Sequence, residues 1–287
     1  MRIIHSVAEL RDVVRAARGS GARVGLVPTM GAFHDGHLAL MRCAREQTGL
    51  VVVSLFVNPA QFDDPGDLAR YPRDERRDAE LAASAGVDVL FAPPVDEVYP
   101  PGFATSVTVS GLSEPLEGAS RGAVHFRGVA TVVTKLLNMV QPDVAYFGQK
   151  DAQQALIVRR LARDLDFPVR IDIRPTVREP DGLAMSSRNV RLDPDARRRA
   201  TALARALRAV EARVAAGERD ARRALAAADP VLADSAIEPE YLSAVSPESL
   251  EPVTTIDGET LVAIAARVGG VRLIDNVLLT PPRAATR

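Results

Sequence analysis

"VPTMGAFHDGHLAL", Val27 to Leu40, is the stretch on which the reading of this chain turns. It begins at the end of a short apolar run, passes through a turn containing Gly31, and enters a segment whose apolar residues recur at helical spacing. A strand that yields to a helix through a glycine-bearing turn is the first half of a parallel βα unit. The 287-residue chain has only four histidines, and two of them, His34 and His37, stand here with Gly36 between them. The carboxyl edge of a parallel sheet is where open α/β proteins bind ligands. A helix beginning near Gly36 presents unpaired N–H groups and the positive end of its dipole at that edge, and both attract phosphate.

The alternation continues outward from this stretch. "RVGLVPT", "LVVVSLFV", "VDVLFAPP", "DVAYFG" and "VRIDIRPTV" are β-branched runs separated by helical segments such as "GHLALMRCAREQT" and "GVATVVTKLLNMV". Strands as apolar as Val51 to Val57, polar only at Ser54, suit a sheet covered on both faces, so the expected core is a doubly wound α/β parallel sheet. The chain opens on an amphipathic helix. Near Pro175 to Arg191 the pattern breaks into a polar loop, "PTVREPDGLAMSSRNVR". Beyond it come long Ala/Arg-rich helices from Asp193 to Asp234, then strand-like runs "EYLSAV", "TLVAIAARV" and "VRLIDNVLLT", with Gly269-Gly270 as a hairpin turn. The expected division is residues 1–176 and a smaller α+β domain over 177–287, without internal repeats.

Composition narrows the function classes. A net charge of −1 gives no bulk attraction to nucleic acid or membrane, and acidic residues interleave with the arginines of the later helices, as on a solvated helix face. Cys43 is the only cysteine, so no intrachain disulfide is possible, which fits a reducing compartment. The start lacks the apolar stretch of a signal peptide or membrane helix, and a cytoplasmic protein is expected.

The histidine pair admits three readings: donors to a bound phosphate, caps and packing for the helix, or a His-x-x-His metal pair. The last lacks a neighbouring cysteine cluster. The His-x-Gly-His pattern after a first strand resembles the nucleotidyltransferases that attack the α-phosphate of ATP or CTP and expel pyrophosphate. Two further elements agree with it: "GQKD", Gly148 to Asp151, after the strand "DVAYF", and "AMSSRN", Ala184 to Asn189, which is similar to phosphate-gripping loops of adenylating enzymes. With "SLFVNPAQF", "YPRD" and "HFRGVATVV" added, nearly the whole chain resembles the pantoate-beta-alanine ligases.

That resemblance implies a Rossmann-like domain, a smaller carboxyl-terminal domain, a homodimer, and a condensation of pantoate with β-alanine that depends on ATP and magnesium. It implies an ATP site along Met30, Gly31, Ala32, Phe33, His34, Asp35, Gly36 and His37, then Gly148, Gln149, Lys150 and Asp151, then Val177, Met185, Ser186, Ser187 and Arg188. His37 is the residue such enzymes are assigned as proton donor. The chemistry requires above all that charge be stabilised on the α-phosphoryl group and on departing pyrophosphate, and His34, Lys150, Ser186, Ser187 and Arg188 supply donors of that kind. Gln61 and Gln154, with Asn58 nearby, are implied to meet pantoate; amides can donate to its carboxylate and accept from its hydroxyls. Met30 and Phe62 are apolar covers for its methyl groups, and Asp78 is a candidate metal contact.

Two stretches depart from the family's usual pattern. "SRGAVHF" is one residue longer before His125 and lacks a proline, and Ala152 stands where a bulky aromatic is common. Two rival readings remain: a nucleotidyltransferase that stops at the adenylated product, and an ATP-binding regulatory module without turnover.

Overall fold

The computed structural model describes residues 1–62 and 65–281. The chain divides into two compact units, Met1–Gln149 with Gln153–Pro175, and Lys150–Ala152 with Thr176–Arg287. The second unit therefore begins one residue earlier than the sequence suggests, and it also takes three residues from the "GQKD" neighbourhood.

In chain order the first unit holds β1 (Arg2–Ile4), α1 (Val7–Gly19), β2 (Val24–Thr29), α2 (Asp35–Gln47), β3 (Leu50–Leu55), α3 (Pro65–Arg70), α4 (Glu75–Ser84), β4 (Val89–Phe91), α5 (Val95–Val98), α6 (Glu117–Arg121), α7 (Ala123–Val140), β5 (Val144–Gly148), α8 (Ala152–Asp164, less its first residue) and β6 (Arg170–Arg174). Its six strands form one sheet in the order β1-β4-β3-β2-β5-β6, and every pairing is parallel. Val27, Val51 and Val53 face Leu38 and Met41 of α2 and Ala79 and Ala82 of α4. Leu26 and Val52 alternate to the opposite side and are equally buried, and α1 and α7 pack together against β2. The sheet is thus covered on both faces, as its apolar strands require.

The opening helix is present as α1, but a short strand precedes it. Arg2–Ile4 is an edge strand in register with Val89–Phe91, and α1 starts only at Val7, where the Ser6 side chain caps it by accepting from Glu9 N–H. A strand of three residues is too short to show alternation of its own.

The second unit holds α9 (Pro194–Ala200), α10 (Ala202–Ala215), α11 (Ala221–Leu225), α12 (Asp229–Asp234), β7 (Pro239–Val245), β8 (Thr260–Val268) and β9 (Val271–Leu279). The three strands form an antiparallel sheet in chain order, and α10 packs on β8 and β9. Gly269 and Gly270 both have positive φ, 55° and 76°, as a two-residue hairpin of primed type needs. Of the long helices expected between Asp193 and Asp234 only α10 is long, and the others are short. Asp193 and Asp220 act as side-chain caps for new helices, and Gly217 turns the backbone at φ 104°.

Candidate active site

The strand order reverses between β2 and β5: the chain builds outward from β2 through β3 and β4, then returns to the other side for β5 and β6. Such a switch point leaves a crevice beyond the carboxyl ends of the two strands. Pro28 widens it. Val24 exchanges bonds with Asp143, just before β5: its N–H donates to Asp143 Oδ2 at 2.7 Å and its carbonyl accepts from Asp143 N–H at 2.8 Å. Alternate residues face the same way, so Leu26 and then Pro28 also face β5. Proline has no N–H to offer, and the ladder with β5 ends at Leu26, whereas β3 stays paired with β2 as far as Thr29.

The turn that leaves β2 at this point is held by one buried carboxylate. Asp78, in the first turn of α4 and 2% exposed, accepts from Ala32 N–H and Phe33 N–H, one on each oxygen, both at 2.8 Å. Gly31 lies at φ 89°, and a Cβ there would stand 2.6 Å from Leu55 Cδ1 and 2.8 Å from Asp78 Oδ2, so only glycine fits. Ala32 follows at φ 53°, a left-handed conformation that an L-residue adopts at some cost. Both Asp78 oxygens thus help to position the turn.

His34 and His37 form a reciprocal cap for α2. His34 Nδ1 accepts from Gly36 N–H at 3.2 Å, and His37 Nδ1 accepts from His34 N–H at 3.4 Å. Their ring centroids lie 4.1 Å apart, and Phe33 sits 5.6 Å from the His37 ring. The capping alternative is therefore what the geometry contains, yet it does not compete with donation. A neutral imidazole whose Nδ1 accepts carries its proton on Nε2, so the cap selects the tautomer that donates from its far side.

Across the same edge, the turn after β3 carries Gln61. Its Nε2 lies 3.0 Å from Met30 Sδ, so Gln61 and Met30 are brought together, while Phe62 packs edge-on against Tyr71 with centroids 5.7 Å apart. Asn58, 1% exposed, is saturated: Nδ2 donates to Gln61 Oε1 (3.0 Å) and Gly128 O (3.1 Å), and Oδ1 accepts from Ala60 N–H (3.2 Å) and Tyr99 O–H (2.8 Å). A carboxamide offers two donor hydrogens and two acceptor lone pairs, so Asn58 supports Gln61 instead of meeting a ligand. His125 Nδ1 lies 2.9 Å from Gln61 O; a carbonyl only accepts, so that nitrogen bears the proton. A Cβ on Gly128 would fall 2.2 Å from Ala60 O, so α7 packs directly on the Asn58–Gln61 turn. The unusual "SRGAVHF" stretch resolves into α6 and α7 joined at Gly122, whose φ is 78°. Gln154 is half-buried on α8 beside Gln153, whose amide is buried and ties down the 112–117 segment through Leu112 O, Pro115 O and Glu117 N–H. Gly148 ends β5, with Gln149 next.

The other residues that the sequence singles out belong to the second unit. Lys150 is 16% exposed, with Nζ 3.7 Å from Asp151 Oδ1, and its carbonyl accepts from Asn276 Nδ2 at 3.0 Å. Val177 O accepts from Met185 N–H (3.0 Å), which closes a narrow turn. Ser186 then accepts from Arg188 N–H on Oγ (3.3 Å) and from Asn189 N–H on its carbonyl (3.0 Å), and Ser187 lies between, half-buried. Two ion pairs anchor the base of this loop. Arg178 forks onto buried Asp275 at 2.6 and 3.0 Å, and Arg197 reaches Glu179 at 2.5 Å and Asp181 at 2.6 Å. The Arg197 hydrogen bond holds the Asp181 carboxyl below its ordinary range.

Sequence reasoning missed the roles of Asp78 in the turn, of Tyr99 and of Arg178. Their partners lie 45 and 46 residues away for Asp78, 41 for Tyr99 and 97 for Arg178, and no local pattern signals such contacts.

Comparison with known proteins agrees with this architecture. Residues 2–278 match the family described as pantoate-beta-alanine ligase. Pantothenate synthetase of Moorella thermoacetica is 53% identical over 97% of this chain and 99% of its own length. The crystal structure of pantothenate synthetase from Thermus thermophilus superposes with a TM-score of 0.92 at 48% identity, covering 98% of this chain and 100% of that one. The Francisella tularensis pantoate-beta-alanine ligase, crystallised with "Beta-gamma ATP and Beta-alanine", gives 0.78 at 32% identity over 97% of both chains. The chain belongs to the pantoate-beta-alanine ligase family.

Proposed function

We propose that this ligase joins pantoate to β-alanine in two steps, using the residues assembled above. In the first step a pantoate carboxylate oxygen bonds to the α-phosphorus of ATP, and the bond from that phosphorus to the bridging oxygen breaks. Pyrophosphate leaves and pantoyl adenylate remains. In the second step the β-alanine nitrogen attacks the acyl carbon, the carbon–oxygen bond to AMP breaks, and the nitrogen loses a proton. The observation that best supports this reading is the Asp78-held turn, which sets two tautomer-fixed imidazoles at the start of α2 beside the β2/β5 crevice.

His34 and His37 donate from Nε2 to phosphate oxygens, with Lys150, Ser186, Ser187 and Arg188 as the other donors to the charge that grows on the transferred group and on pyrophosphate. ATP runs along Met30–His37, Gly148–Asp151, Val177 and Met185–Arg188. Gln61 and Gln154 hold pantoate. Magnesium would arrive with the nucleotide and would supply charge neutralisation for the departing pyrophosphate. Nucleotide and pantoate recognition is assigned to residues 1–176 and the phosphate-gripping loop to 177–287. We further assign a homodimer and a cytoplasmic location; the single buried thiol, Cys43, supports the latter. No helix among the described residues is long and apolar enough to cross a membrane.

Exchange of labelled pyrophosphate into ATP tests the scheme. Exchange is expected with pantoate present and β-alanine absent, and mass analysis after adding β-alanine should find AMP and pantothenate. Exchange that requires β-alanine would refute the stepwise order.

A further inference from the structure

Gln61 has two faces, an oxygen that accepts and a nitrogen that donates, and which one meets a ligand decides what the pocket selects. The Asn58 amide is locked against rotation, because a flipped amide would set its NH2 against Ala60 N–H and its oxygen against Gly128 O. Locked this way, Asn58 Nδ2 faces Gln61 Oε1, and the Gln61 NH2 is turned toward Met30. Tyr99 completes the lock by donating to the second lone pair of Asn58 Oδ1. Its ring is wedged between Phe56 and Phe103, with centroids at 6.1 and 5.2 Å, and Lys135 Nζ lies 4.6 Å from the Phe103 ring centroid. Burial pushes the Tyr99 hydroxyl up to about 12, so it remains a donor at every pH near neutrality.

We propose that Tyr99 and Asn58 form a positioning relay that holds the Gln61 carboxamide with its NH2 toward the pocket, and so select a substrate that presents an oxygen acceptor there. The relay rests on the assignment of Gln61 to pantoate, whose carboxylate and hydroxyl oxygens are such acceptors. Tyr99 itself touches no substrate. Its hydroxyl matters through Asn58, which would otherwise keep an unpaired lone pair in a site closed to water.

A double-mutant cycle separates this role from a structural one. Tyr99→Phe keeps the ring packing and removes only the donor. It is expected to raise the KM for pantoate about fivefold, the scale of one neutral hydrogen bond, with the KM for ATP unchanged. In a Gln61→Ala background the same substitution should leave the pantoate KM unaffected, because the group it acts through is gone. Asn58→Asp supplies a second route should Tyr99→Phe fold poorly: an acceptor in place of Nδ2 draws the Gln61 NH2 inward and turns its oxygen outward. Its pantoate KM should rise further than that of Tyr99→Phe, and this effect too should vanish with Gln61→Ala. Equal effects of Tyr99→Phe or Asn58→Asp in both backgrounds would overturn the relay while leaving Gln61 in place. A Gln61→Ala enzyme with an unchanged pantoate KM would overturn the relay together with the assignment beneath it.

Discussion

Removing the Asp78 carboxylate should loosen the turn that carries the histidine pair. Asp78→Ala deletes two charge-assisted hydrogen bonds, to Ala32 N–H and Phe33 N–H, at a side chain 2% exposed. At about 1.5 kcal/mol each, the low end suited to a turn that water can partly reach, the loss is about 3 kcal/mol. The turn has little means of holding itself, because Ala32 sits at φ 53° and Gly31 at 89°. Asp78→Asn keeps one acceptor and sets an NH2 against the other backbone N–H, so about half that loss is expected. Urea unfolding at constant m-value measures the stabilities, and hydrogen exchange at the Ala32 and Phe33 amides reports the turn directly. Exchange at both should quicken far more than in the sheet, and adenylate formation should slow as His34 and His37 lose their fixed place. Both variants lying within about 0.5 kcal/mol of the parent, with unchanged exchange at Ala32 and Phe33, would refute the clamp.

Two other outcomes follow from particular groups. Lys150→Ala should form pantoyl adenylate slowly yet convert supplied adenylate and β-alanine with much smaller loss, because pyrophosphate is present only in the first step; equal slowing in single-turnover assays of both half-reactions would contradict this. Tyr99 and Tyr146 are both pushed up to about 12 by burial, so the folded state favours their neutral forms. The stabilisation is whole below the ordinary tyrosine value of 10.0 and is lost as pH rises through about 12. Urea midpoints should fall across that window, less steeply in Tyr99→Phe, and an identical slope in the variant would exclude Tyr99 as a contributor.

The parallel sheet was legible because its strands are long enough, or apolar enough, to stand out: Leu50–Leu55 and Val144–Gly148 announce themselves. Arg2–Ile4 did not, since three residues paired at an edge owe their form to β4 and carry no period. Capping was one of three readings the histidine pair allowed, and the sequence could not say which nitrogen accepts, because that choice depends on the local backbone and not on spacing. Asn58 is the sharper case. Its place beside Gln61 suggested substrate contact, whereas four bonds, two of them to Tyr99 and Gly128 41 and 70 residues away, consume its amide. Hydrogen-bond saturation is a property of the folded surroundings, and residue type alone cannot reveal it.

The smaller unit is not one stretch of chain. Lys150–Ala152 belong to it, although β5 and nearly all of α8 on either side belong to the larger unit, and the Lys150 carbonyl takes the Asn276 amide of β9. A single splice near Pro175 therefore cannot exchange the carboxyl-terminal unit between relatives as a cassette. The graft would arrive without its own residues 150–152, and the recipient would keep three residues that pack with a unit it had lost. A chimaera of this chain needs two matched junctions, because Asn276 works on a backbone carbonyl more than a hundred residues upstream.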